Sequence, residues 1–430
     1  MKRLQIAAIV ITAAVVSRAA PPARSIAIRG GTVIPVSGPQ IANGTVLMRD
    51  GKIAAVGVNV AIPADAEVVD ATGKYVMPGL VDAMTSLGLA ASDLNEPSDA
   101  FTPQLRAIDA YNPFGEFATG KAGPIRMEEI LSGGVTTMYV APADASVIGG
   151  QGAVVKTAGE NLDSVIVREP ASMDMALGTP PKQAAEEHHR EPATRMTEVS
   201  ILRQMLVKAQ EYDRGRAAKP PPPRDLGVEA LVKLLKREFP ARVQANSPTD
   251  IRNALNLSQE FGFDLILDGG ASAYDFRETL ANRKIPVVLG QVSHPYVSNE
   301  EIPDRTDYPP VDEALSNKLR TAGVKFAIAS FSRAFGSLAP AGSSKWLLID
   351  ASIAGGYGLP DDEILRAVTL SPAEILGVAN RVGSIAPGKD ADVIVLDGPP
   401  TSIKTWIERV YIGGKSVYER RPTGMQQSLR

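Results

Sequence analysis

The chain has 430 residues, 44% of them hydrophobic and 22% charged, with a formal net charge of −3 and no cysteine. Such a composition provides for a large core in one big domain with a smaller one, and excludes a disordered chain, disulfides, thiol chemistry and a lipoprotein anchor. A mildly acidic chain is also a poor match to nucleic acid.

Met1-Lys2-Arg3, an apolar run from Leu4 to Val16 and small residues near Ala19 have the pattern of a secretory signal peptide over residues 1–19. The run is short for a membrane span, so no stable span is expected after cleavage; a retained signal anchor is the alternative. Export predicts a periplasmic or secreted bacterial protein. Removal of Lys2, Arg3 and Arg18 would take the charge to about −6.

Residues 20–78 read as short β-strands, with Asp50-Gly51 between two β-prone runs as a hairpin signal. Leu80 to Met84 reads as a buried strand entered through Pro78-Gly79. Met127 to Leu131 is predicted helical and Gly133 to Val140 a β-run entered through paired glycines. The glycines of Val147 to Gly152 have the wrong spacing for a phosphate cradle and are read as a turn near the mouth of the central domain. Met196 to Tyr212 places Val199, Leu202, Leu206 and Ala209 on one helical face. Pro220 to Pro223 forms a stiff extended link.

Leu226 to Arg237, Asp250 to Phe261 and Ala273 to Arg283 follow as helices. Arg242 to Ala245, Leu265 to Leu267, Pro286 to Leu289 and Lys325 to Ala329 are short buried strands. Alternation of β and α over residues 79–380 predicts an α/β fold, a (β/α)8 TIM-like barrel with its site where the strands end. Residues 381–430 return to β-runs, including Trp406 to Tyr418 with a turn at Ile412-Gly413-Gly414-Lys415. Neither end can cover its own apolar face, so both termini are expected to build one small β-sandwich that clamps the barrel.

Several stretches carry a resemblance. Met77-Pro78-Gly79-Leu80-Val81-Asp82-Ala83 resembles the first barrel strand of the amidohydrolase superfamily. Gly383-Ser384-Ile385-Ala386-Pro387-Gly388-Lys389-Asp390-Ala391-Asp392 resembles the signature that returns the chain to the N-terminal strands. Phe101 to Ala110, Gly134 to Thr137, Val147 to Gly159 and Pro192 to Met196 look like segments of an exported, imidazolonepropionase-like bacterial branch, so the resemblance runs from about residue 25 to 420.

The resemblance implies hydrolysis of carbon–nitrogen bonds. A divalent metal polarises the carbonyl and activates water while a carboxylate moves the proton. The ligands in that superfamily are His-x-His after strand one, often a carboxylated lysine after strand four, histidines after strands five and six, and an aspartate after strand eight. Carried over singly, these positions fall on Met84 and Ser86, on Asp174, on Asn246, on Gly269 with Asp268 just before it, and on Phe331. None keeps the family residue.

The expectation is therefore a degenerate member without metal, cofactor or catalytic residues: a pseudoenzyme acting as a structural or regulatory subunit. It would form a homo-oligomer, or a hetero-oligomer with an active paralogue. Two alternatives stay open. One is a hydrolase with an unorthodox site rebuilt from Asp174, Asp268 and His294; the other is a module whose emptied pocket holds a small molecule. Lys156 and Arg195 are candidates to meet a substrate carboxylate, or else members of internal ion pairs. His188 and His189, adjacent in a charged loop, point apart and suit solvent better than a shared ion.

Overall fold

The computed structural model describes residues 25–114, 116–118, 124–290, 292, 312–331 and 343–420. The signal-peptide expectation over 1–19 and His294 lie outside them. Two eight-stranded sheets dominate.

The N-terminal β-runs become β1 (Ser25–Val33), β2 (Ile41–Arg49), β3 (Lys52–Gly57), β4 (Glu67–Asp70) and β5 (Tyr75–Pro78). Asp50 and Gly51 both take positive φ, 51° and 76°, which is what a tight two-residue turn between β2 and β3 demands.

The central domain contributes β6 (Leu80–Thr85), a small hairpin of β7 (Glu116–Ala118) and β8 (Pro124–Arg126), β9 (Val135–Val140), β10 (Ile148–Lys156) and β11 (Ile166–Ala176). It continues with β12 (Ala241–Ala245), β13 (Leu265–Gly269), β14 (Val287–Leu289) and β15 (Phe326–Ile328). The chain ends in β16 (Val393–Leu396), β17 (Ile407–Ile412) and β18 (Lys415–Glu419).

Both termini share one sheet, in the order β18-β17-β16-β5-β1-β2-β3 with β4 beside β1. The join is the antiparallel pair β5–β16, where Met77 faces Ile394. Ile28, Val46, Met48, Val76, Val393 and Tyr411 bury their side chains in the core this sheet encloses. This is the composite sandwich expected from the two apolar ends.

The second sheet, β6-β9-β10-β11-β12-β13-β14-β15, curls into a nearly closed barrel. All neighbours are parallel except β10, which runs antiparallel to both β9 and β11. Residues 141–147 between β9 and β10 are too few for a crossover, which needs a dozen or more, so the strand must double back. The stretch expected as a turn at 147–152 is therefore mostly strand.

Helices pack outside the barrel. Arg195–Gly215 is capped by Thr194, whose hydroxyl accepts from the Thr197 N–H at 3.2 Å, and it buries Leu202, Leu206 and Ala209. Pro248–Phe261 is capped by Ser247 and closed by Gly262 in the left-handed region. Ala273 to Arg283 is not one helix. A 3-10 turn, Ala273–Phe276, precedes the helix Arg277–Asn282, and the break at Phe276 lets that ring pack on the outer core. Among the described residues no helix is long and apolar enough to cross a membrane.

Candidate functional site

Strand alternation decides which side chains enter the barrel. In β12, Ala241, Val243 and Ala245 join the outer core under the helices, so Arg242 and Gln244 face inwards. In β13 Leu265 and Leu267 are outer, leaving Ile266 and Asp268 inside; in β11 Met173 and Met175 are outer, leaving Ser172 and Asp174 inside. Tyr139 of β9 is also interior.

These inward groups form one network. Arg242, buried completely, donates from Nε to Asp268 Oδ2 at 2.9 Å and from Nη2 to Asp268 Oδ1 at 2.8 Å. Its guanidinium lies 4.0 Å over the Tyr139 ring. The Tyr139 hydroxyl donates to Asp174 and also meets Ser172. Gly152 makes room for this, because a Cβ there would collide with the Tyr139 hydroxyl.

Burial acts against the Arg242 charge, yet Asp268, Tyr139 and Asp174 together hold its pKa above the ordinary value. Burial holds Asp268 above the ordinary carboxylate value, and the bidentate guanidinium opposes that rise. Asp174 is pushed up to about 7, first by burial, with Arg242 and Tyr139 opposing. Above the network is a cavity of about 10 Å³, bordered by Met84, Asp144, Ser146, Asp174, Gln244 and Asp268. That is room for roughly one water.

The remaining family positions have structural partners. Met84 accepts on its carbonyl from the Phe331 N–H at 2.9 Å. The Ser86 hydroxyl donates to the Ala141 carbonyl at 2.9 Å. Asn246 Oδ1 accepts from the Ala271 N–H at 3.4 Å and fills the space beside Gly269, whose φ of +80° and lack of a Cβ allow it. Phe331, at φ 49°, packs inside the barrel and is buried.

Two candidates for substrate contact sit elsewhere. Lys156 ends β10 beneath the barrel, in ion pairs with Asp392 and, at 3.1 Å, with Asp390 of the segment leading into the composite sheet. Arg195 clasps Asp250 through Nε at 2.7 Å and Nη2 at 3.2 Å.

Arg242 and Tyr139 were not singled out from sequence, and neither was Asp82. Asp82 is fully buried on β6 and accepts from the Ser330 N–H at 3.0 Å, the Ser344 hydroxyl at 2.6 Å and the Ser330 hydroxyl. This carboxylate joins the first and last barrel strands at the seam. The available signal was an acid inside the apolar run Leu80 to Met84, because a buried carboxylate needs several donors.

A second buried acid lies close to the strand ends. Glu198 accepts from the Gly178 N–H at 3.0 Å on one oxygen, while the other has no hydrogen-bond partner. Burial pushes it up to about 7, with Asp250 adding to the rise and Lys182 and Arg195 opposing it. In the unfolded chain Asp174 and Glu198 release their protons near pH 4; in the folded chain they hold them until near 7. Stability therefore falls as pH rises through that window. Unfolding in urea should give a free energy at pH 5 above that at pH 8 by on the order of 5 kcal/mol, the sum over the two carboxyls. Asp174→Asn combined with Glu198→Gln should flatten the profile, and an unchanged slope in that variant would refute the assignment.

A divalent ion at the family's positions would need imidazole or carboxylate donors. A thioether, a hydroxyl that donates to a carbonyl, an engaged amide, a glycine and a phenyl ring stand there, and the carboxylates of Asp174 and Asp268 are tied to Tyr139 and Arg242. Among the described residues no three His, Cys, Asp or Glu side chains converge. This donor set does not fit the ion.

The amidohydrolase family model matches residues 290–417. The chain is 25% identical to "Amidohydrolase tasK" of Hapsidospora irregularis over 83% of its own length, but spans only 38% of that relative. An imidazolonepropionase of Rhizobium rhizogenes is 26% identical, with 91% of this chain and 95% of the relative covered. The crystal structure of an amidohydrolase from Thermotoga maritima superimposes with a TM-score of 0.81 at 33% identity, covering 92% of this chain and all of that one. An adenosine deaminase from Xanthomonas campestris with bound zinc shares the fold at a TM-score of 0.51 and 15% identity, with 91% and 92% covered.

These findings correct the expectation that no metal is involved. The family match and the zinc-bound neighbour point to divalent metal binding, although the described residues supply no ligand set for it. The composite sheet, the inward-facing barrel and one-third identity along the whole Thermotoga maritima protein lead to one conclusion: the chain belongs to the amidohydrolase family.

Proposed function

We propose that this amidohydrolase-family protein does not turn over the family's substrates and serves as a structural or regulatory subunit beside an active relative. The observation that carries the reading is Arg242. It places a fixed cation between the strand-end carboxylates, so that Asp268 is held as an ion pair and Asp174 is engaged with Tyr139, and neither described carboxylate is left to activate water.

The test is a panel of N-acyl amino acids, dipeptides and cyclic amides assayed with added zinc or manganese, with an intact imidazolonepropionase as positive control for its own substrate. No turnover above the uncatalysed rate is expected. Metal-dependent hydrolysis that disappears in Asp174→Asn would overturn the proposal and favour the second reading, a hydrolase of carbon–nitrogen bonds. That second reading draws support from a buried acid titrating near 7, which suits proton transfer, and from relatives named as enzymes. A small-molecule module would have to widen the cavity of about 10 Å³ bordered by Met84, Asp144, Asp174 and Gln244.

The proposed setting is the bacterial periplasm, with a hetero-oligomer as the assembly. Co-purification of a second amidohydrolase from the native host supports it; a chain recovered alone from the cytoplasm counts against it.

A further inference from the structure

At the end of the barrel opposite the mouth, where β12, β13 and β14 begin, a basin of about 660 Å³ opens to solvent. Its apolar floor includes Phe263, Leu265, Ile285, Pro286 and Ile375, and four cations border it: Arg168, Arg237, Arg283 and Lys284. Its one lining acid, Asp264, is exposed and stands 3.8 Å from Arg237. Glu374, next in sequence to Ile375, is already paired with Lys325 and Arg366, each at 2.8 Å.

Three of the cations are held in place by neutral oxygens. Arg168 donates to the Leu376 carbonyl at 2.9 Å, beside Gly377, where a Cβ would collide with its guanidinium. Arg237 donates to the Gly262 carbonyl at 2.6 Å. Arg283 donates to the Leu255 carbonyl at 3.0 Å and to the Ser258 hydroxyl at 2.9 Å. These bonds orient the guanidinium groups without neutralising them. Arg168, Arg283 and Lys284 have no carboxylate partner among the described residues, within a chain whose net charge is −3.

Uncompensated cations around a concave, partly apolar surface of this size form a site for a small anion with a carbon body. We propose that this basin binds a small phosphorylated molecule. Its dianionic phosphate is answered by Arg168, Arg283 and Lys284, and its body rests on Phe263, Ile285 and Ile375. A phosphate suits the site better than a single carboxylate, because guanidinium forks pair with phosphate oxygens and one dianion offsets most of the local charge.

The test is calorimetric titration of the full chain at constant ionic strength with inorganic phosphate, a sugar phosphate, adenosine monophosphate, citrate and acetate. Saturable binding of a phosphate monoester with a Kd of about 1 mM or tighter is expected, with acetate silent. Lys284 sits at φ 55° with its backbone N–H on the Ala281 carbonyl at 3.1 Å, and its ammonium has no hydrogen bond among the described residues, so Lys284→Asn keeps the left-handed backbone and removes the charge. It should weaken binding by about tenfold, as should Arg168→Gln, while Lys415→Gln on the composite sheet should leave binding unchanged. Binding indifferent to Lys284→Asn would overturn the site. Citrate bound as tightly as the phosphate monoesters would overturn the phosphate assignment, and a response matched by acetate would reduce the basin to general charge screening.

Discussion

Arg242→Met is expected to destabilise the protein by about 3–5 kcal/mol in urea or guanidinium unfolding. The guanidinium holds Asp268 by two hydrogen bonds, lies over Tyr139 and offsets Asp174, all away from water. Removing it leaves uncompensated carboxylates inside the barrel, and burial then drives both towards their protonated forms. Arg242→Met with Asp268→Leu should recover much of the loss, because an apolar pair of similar volume avoids the desolvation penalty of the ion pair. A loss below about 1 kcal/mol for the single variant would mean that something else neutralises the carboxylates, a bound cation included.

Asp82→Ala is expected to cost about 2–4 kcal/mol and to loosen one place in particular. Asp82 receives the Ser330 N–H and the hydroxyls of Ser330 and Ser344, joining β6 to the residues just after β15. Without the carboxylate the Ser330 N–H and both hydroxyls lose their shared acceptor, the hydroxyls keep their mutual contact at 2.8 Å, and the barrel seam keeps the Phe331 N–H to Met84 carbonyl bond as its nearest backbone tie. Hydrogen exchange should therefore accelerate at Ser330 and Phe331 more than in β12 or β13. Uniform acceleration across all strands would show that Asp82 stabilises the whole fold and not the seam.

Much of the architecture was legible because its signals are local. Asp50-Gly51 specifies its turn through backbone conformation, and the spacing of Leu202, Leu206 and Ala209 specifies a buried helical face. The apolar, self-insufficient ends required each other, and they meet at Met77 and Ile394. The interior was not legible, because it depends on register. Arg242 finds Asp268 only once β12 and β13 are aligned, and Lys156 finds Asp392 across 236 residues. Asp82 reaches Ser330 across 248. The glycines at 149–152 could have served a turn or a strand, and the short β9–β10 connection decided for the strand.

The composite sheet also bears on how the molecule comes into being. β1 to β5 emerge first from the ribosome, but β5 lacks its β16 neighbour until residue 396 has been translated. The barrel strands are thus made while the edge of β5 is exposed and able to pair with another chain. Holding this edge until synthesis finishes is a natural task for a chaperone, and makes maturation of this protein a late, largely post-translational event.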